Sequence, residues 1–102
     1  AIPLTRRETT LGSDALRAGT CIDSPSVSGL HARIVQSGEG DYQIFDNGSV
    51  AGTWVNYTPV PAQGVTLRHG DLIQLGRVSL RFELANPPEL TLPRVRPYQG
   101  QP

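Results

Sequence analysis

With 102 residues, nine arginines, no lysine and nine acidic residues, the chain has a formal net charge of zero, which excludes the strong positive field of a nucleic-acid or anionic-membrane binder. That length gives room for one domain around one core. A hydrophobic share of 37%, with 11 Gly and 9 Pro, points to a turn-rich, all-β chain and not to a helical bundle.

Taken in order, strands are expected at Ile2–Thr5, Glu8–Leu11, Thr20–Ile22, Ala32–Gln36, Tyr42–Asp46, Thr53–Asn56, Val65–Arg68, Leu72–Leu75 and Val78–Leu84, each short and rich in β-branched or aromatic residues. The last is the clearest: Val78, Leu80, Phe82 and Leu84 alternate with polar residues and share one face. Ser37-Gly38-Glu39-Gly40-Asp41 reads as a hairpin loop, and Asn47-Gly48 and His69-Gly70-Asp71 read as tight turns. Pro59 and Pro61 lack the N–H that a ladder needs, so Tyr57–Gln63 is an edge segment or a loop. Several short strands in succession favour a sandwich.

From Asn86 onward proline dominates, and the domain boundary is expected there: residues 1–86 form the sandwich, and 87–102 a proline-rich extended tail or linker. Glu89–Leu92 can still dock as an added strand, because its two leucines at i and i+2 face the same way.

Cys21 has no intramolecular partner for a disulfide, so a reduced, cytoplasmic setting is expected, including the cytoplasmic part of a larger membrane-linked protein. In a short strand it reads as a small buried hydrophobe. No apolar run approaches the ~20 residues needed to span a bilayer and no signal-peptide pattern opens the chain, so direct membrane insertion is not expected.

Four blocks carry the functional signal: Asp23-Ser24-Pro25-Ser26-Val27-Ser28, then His31-Ala32, then Gly52-Thr53-Trp54-Val55-Asn56, then Leu67 to Gly76 through His69-Gly70-Asp71. In that order they resemble a forkhead-associated (FHA) domain over roughly Thr9 to Leu84. The resemblance implies a β-sandwich of two twisted, mainly antiparallel sheets whose loops at one end bind a peptide, usually one bearing phosphothreonine. It places Ser13, Ser28, Gly29, Ala51, Thr53 and Asn56 at the peptide site, to which Arg17 is added for its position in the same Gly12–Gly19 loop, with Gly12, His31 and Gly52 holding the loops. Ser28 and Thr53 match the family's binding serine and threonine. The family's two arginine positions hold Ser13 and Gly29, and its peptide-binding asparagine position holds Ala51.

A charge-assisted hydrogen bond contributes about 1.5–3 kcal/mol, so losing two arginines lowers affinity on the order of a hundredfold to ten-thousandfold. The expectation is a non-enzymatic protein–protein interaction module that docks without depending on phosphate. The alternative is a phosphothreonine-peptide-binding adaptor with a rearranged pocket, in which Arg17 reaches back to replace one charge; a solvated loop position for Arg17 is the plainer reading. Either way the partner is a protein or a peptide, and no nucleic acid is expected.

Ser28, His31 and Asp23 are the residue types of a hydrolytic triad, but no Gly-x-Ser-x-Gly elbow surrounds the serine. Cys21, His31 and His69 lack metal-ligand spacing. Neither catalysis, metal nor cofactor is expected. Trp54 is read as a packing residue. The chain also has one strand fewer before Gly12 than the family usually places there, leaving an open edge beside Val78–Leu84; either Glu89–Leu92 or a second copy of the chain, in a homo-oligomer, is expected to cover it.

Overall fold

The computed structural model describes residues 2–38, 40–85 and 87–92. Eleven strands are present: β1 Ile2–Pro3, β2 Glu8–Gly12, β3 Thr20–Cys21, β4 Ala32–Ser37, β5 Asp41–Asp46, β6 Thr53–Val55, β7 Thr58–Pro59, β8 Val65–Thr66, β9 Leu72–Leu75, β10 Val78–Glu83 and β11 Glu89–Thr91. They form a six-stranded sheet, β1-β11-β10-β9-β6-β7, and a five-stranded sheet, β3-β2-β4-β5-β8. Every pairing is antiparallel except the short parallel pair β2–β3. The all-β sandwich expected from alternation is the fold observed.

Alternation sets which side chains meet between the sheets. Leu11, Ala32, Ile34, Tyr42 and Ile44 face inward from one sheet, against Val55, Ile73, Leu75, Leu80, Phe82 and Leu90 from the other. Tyr42 and Phe82 meet across the gap with ring centroids 5.7 Å apart and tilted by 53°, a geometry aromatic pairs favour. β10 follows the expected pattern through Phe82 and then departs from it. The strand ends at Glu83, and Leu84 is exposed, its N–H donating to His69 Nδ1 at 3.0 Å.

The expected boundary near Asn86 does not end the sandwich. β11 pairs with β10 through Arg81↔Thr91, Phe82↔Leu90 and Glu83↔Glu89, and with β1 through Ile2↔Leu90. Leu4 N–H donates to Pro88 O at 2.7 Å beside this pair. Leu90 is 0% exposed. The edge for which a second chain was the alternative cover is therefore occupied by the chain's own Glu89–Thr91. Burying one leucine completely is worth about 1.5–3 kcal/mol, and together with the pairings to β10 and β1 it offsets the cost of ordering the segment. The part of the expected tail beyond Leu92 lies outside the described residues.

The hairpin β6–β7 turns on Asn56 and Tyr57, at φ 49° and 67°. Positive φ at both central positions is the type I′ signature, matched to strand twist and easiest for Asn and Gly. Tyr57 adopts it as an exposed aromatic residue, at a cost of about 1–3 kcal/mol.

Two outcomes follow for equilibrium denaturation. Leu90→Ala is expected to lower stability by about 2–5 kcal/mol, whereas a dispensable tail leucine would change it by less than about 0.5 kcal/mol. Tyr57→Gly is expected to raise stability by about 0.5–1 kcal/mol; a loss would show that the exposed ring does more packing than its backbone conformation costs.

Candidate functional site

Four connections gather at one end of the sandwich: β2–β3, β3–β4, β5–β6 and the Gly76–Arg77 turn between β9 and β10. Their proximity depends on missing side chains. A methyl on Gly12 would overlap the Gly29 carbonyl, and one on Gly76, itself at φ 61°, would overlap the Ser26 carbonyl. Backbones can approach this closely only at glycine.

Hydrogen bonds then tie the loops together. His31 is 0% exposed. Its Nδ1 accepts the Ser28 N–H at 3.0 Å, so the ring proton sits on Nε2 and is donated to Gly52 O at 2.8 Å. Its backbone N–H donates to Leu11 O, and its carbonyl accepts from Asn47 N–H. One residue thus joins β2, the β3–β4 loop and the β5–β6 loop. Ser13 joins the same set, its hydroxyl donating to Val27 O at 2.7 Å and its N–H to Ser28 O at 3.0 Å. Ser26 Oγ accepts the Arg77 N–H at 2.9 Å and pins the β9–β10 turn.

Asp46 builds the β5–β6 loop from within. Its carboxylate accepts the N–H groups of Gly48 and Ser49 and the hydroxyls of Ser49 and Thr53. Partial burial pushes this carboxyl up, but the four hydrogen bonds outweigh it and hold the group below its ordinary value. Ser49 Oγ in turn accepts the Gly52 N–H at 2.9 Å. The loop leaves Val50 97% exposed and Ala51 beside it, at the lip of a shallow depression that also includes Ser26, Ser28 and Arg77.

Several expected site residues lie elsewhere or do other work. Thr53 is 2% exposed with its hydroxyl donating to Asp46 Oδ1 at 2.6 Å. It holds the loop from inside and offers nothing to a peptide. Asn56 sits at the far end of β6, where its amide donates to Asp71 Oδ1 and its carbonyl oxygen accepts the Leu72 N–H. It closes a turn away from the loop cluster. Ser13 has its donors turned inward. Trp54, read as a packing residue, lies on the outer face with its indole against Gly52, because Thr53 and Val55 take the inward positions. Cys21 is exposed, its Sγ 3.5 Å from Ser13 O, and is not the buried hydrophobe expected.

Ser28, Gly29, Ala51 and Arg17 do gather at the loop end. Ser28 Oγ accepts the Val50 N–H at 3.0 Å, and its own proton has no acceptor among the described residues. Arg17 is the larger surprise. Its guanidinium crosses over Gly29, so close that a methyl there would lie 2.8 Å from Nη1. The charge thus fills the space that a side chain at 29 would take. Arg77, Val50 and Asp46 were missed by sequence reasoning. Only Asp46 had a signal, an aspartate two residues before the glycine of Asn47-Gly48, the spacing of an Asx turn.

The sandwich, the loop cluster at one end and the ordered blocks now stand together. A model of the FHA domain matches residues 9–76. The chain belongs to the FHA-domain family. It is similar to the oxoglutarate dehydrogenase inhibitor of Corynebacterium glutamicum, 41% identical over 68 residues that cover 67% of this chain and 45% of the relative. The chain thus spans less than half the length of that relative. Among solved structures it is similar to Mycobacterium tuberculosis EmbR in complex with a low-affinity phosphopeptide, at TM-score 0.69 and 28% identity, covering 88% of this chain and 21% of that one. It is also similar to the FhaA FHA domain complexed with the intracellular domain of Rv3910, at TM-score 0.64 and 30% identity, covering 74% and 78%. FHA domains mediate protein–protein interaction, typically through phosphothreonine.

The Asp46 network predicts an acid-sensitive fold. A carboxyl held below its ordinary value stabilises the fold fully above the unfolded pKa of about 3.9, and that stabilisation is lost as pH falls through the lower, folded value. Asp46→Asn is expected to cost about 1–3 kcal/mol at neutral pH, because donors lose a charged acceptor. Urea unfolding of both proteins checks it: the gap between them should close below about pH 4, and a gap independent of pH would refute the assignment.

Proposed function

We propose that this FHA domain docks an extended segment of a protein partner across its loop end, as a non-enzymatic module, and that docking does not require phosphate on that segment. The observation that carries this reading is the state of the two positions where the family has arginine. Ser13 directs both its hydroxyl and its N–H into the loop cluster, and Gly29 has no side chain. The exposed face is instead made of Val50 and Ala51, with Ser28 and Arg77 around the depression. A phosphothreonine carries nearly two charges and three acceptor oxygens, and it is bound strongly where guanidinium groups converge.

Two similarities support a protein or peptide as the occupant. The FhaA domain is seen with a protein partner and EmbR with a phosphopeptide, and the Corynebacterium relative is named as an inhibitor of another protein. A second reading, the phosphothreonine reader with a rearranged pocket, is favoured by one observation only: the Arg17 guanidinium lies over Gly29.

Fluorescence polarisation with degenerate peptide pools, fixed at a central threonine or phosphothreonine, separates the two. Phosphorylation is expected to change affinity by less than about tenfold, the worth of roughly one charge-assisted contact. A preference of more than about a hundredfold that disappears in Arg17→Ala would establish the second reading.

A further inference from the structure

We infer that the loop end takes a carboxylate side chain, an aspartate or glutamate of the docked segment, between the Arg17 guanidinium and the Ser28 hydroxyl. This deepens the docking reading above and rests on it.

Arg17 is exposed, and its guanidinium lies against Gly29, next in sequence to Ser28. Among the described residues the only ion pair is Arg33 with Glu8, so Arg17 is a charge without a carboxylate partner. Asp14 also borders Gly29, its Cβ 3.3 Å from where a Gly29 methyl would be, yet its Oδ1 accepts the Leu16 N–H. One residue before Gly29, the Ser28 hydroxyl keeps its proton for a ligand while its oxygen accepts the Val50 N–H. The N–H groups of Gly29 and Leu30 donate to nothing among the described residues. The result is a run of free donors on Ser28, Gly29 and Leu30 with one guanidinium lying against Gly29.

Charge and shape select the ligand. A carboxylate has one charge and two oxygens in a plane, which a single guanidinium matches bidentately. A phosphate dianion brings about twice the charge to a site with one cation and the Asp14 carboxylate close by. The second charge would meet no second guanidinium against Gly29, and at an exposed, screened site it adds little affinity. Arg77 lies across the depression, with its N–H held by Ser26, and the adjoining Val50 and Ala51 offer apolar contact to the residues that flank the acid.

The test uses the whole 102-residue chain and degenerate peptide pools fixed at the centre as Glu, Asp, Gln, Asn or phosphothreonine. Affinities are read by fluorescence polarisation and contact by amide shifts in NMR. The Glu and Asp pools are expected to bind about tenfold tighter than Gln and Asn, moving the amides of Ser28, Gly29 and Leu30. Arg17→Gln should erase that preference while thermal unfolding stays unchanged. Arg6→Gln, which removes the same charge at the opposite end, should keep it, and added salt should weaken it.

Equal binding of acid and amide pools with those amides still shifting would overturn the carboxylate inference and leave docking intact. A phosphothreonine pool more than about tenfold tighter than Glu would overturn it in favour of phosphate. Failure of every pool to move the loop-end amides would overturn the inference together with the docking reading.

Discussion

The buried imidazole of His31 is the constraint on which the functional end depends. A sandwich needs only alternating strands to form, but the position of its loops is not set by the core. His31 sets it with two hydrogen bonds of opposite sense, accepting from Ser28 N–H and donating to Gly52 O. Because Nδ1 must accept, Nε2 must donate, and the tautomer follows from the backbone groups it meets. Removing the ring would leave a buried donor and a buried acceptor unpaired, each costing about 1–3 kcal/mol, and would unlink the two loops.

Asp46 complements this clamp from the other side of the β5–β6 loop. His31 holds Gly52 from outside the loop, while Asp46 holds Gly48, Ser49 and Thr53 from inside. Between these supports the chain has one direction left for Val50 and Ala51, which is outward. Val50 also gives its N–H to Ser28 Oγ. The apolar lip and the hydroxyl donor are thus products of one hydrogen-bond network and are held at fixed separation before a partner arrives. Such preorganisation limits what binding costs in ordering.

The fold was legible where period-two alternation is strong. Val78–Leu84 places Leu80 and Phe82 inward as read, and the pair of leucines at 90 and 92 signalled a docked strand, although only Leu90 is buried. The site was less legible for a physical reason. A motif records residue type and order, whereas function depends on which face of a short strand turns inward and where a long side chain ends. Thr53 and Trp54 are adjacent, and the sandwich buries the first and exposes the second. Asn56 is three residues from Thr53, which along an extended strand carries it about 10 Å toward the opposite end. Arg17 has several rotatable bonds, so no spacing rule indicates that its head crosses the neighbouring loop to Gly29.

That crossing changes what the departures from the family pattern mean. A glycine in place of a cation first reads as charge deleted, yet the space it leaves is filled by a guanidinium from a different loop. One positive charge returns to the surface of Gly29, carried from the β2–β3 loop, while the position at Ser13 stays uncharged with its donors turned inward. The face therefore retains one cation's worth of attraction beside an apolar lip. Coulomb attraction at an exposed site is screened and modest, so Arg17 cannot supply most of the affinity by itself. In the proposed docking, burial against Val50 and Ala51 provides the rest, and the charge serves mainly to fix the register in which an extended partner would lie across the loops.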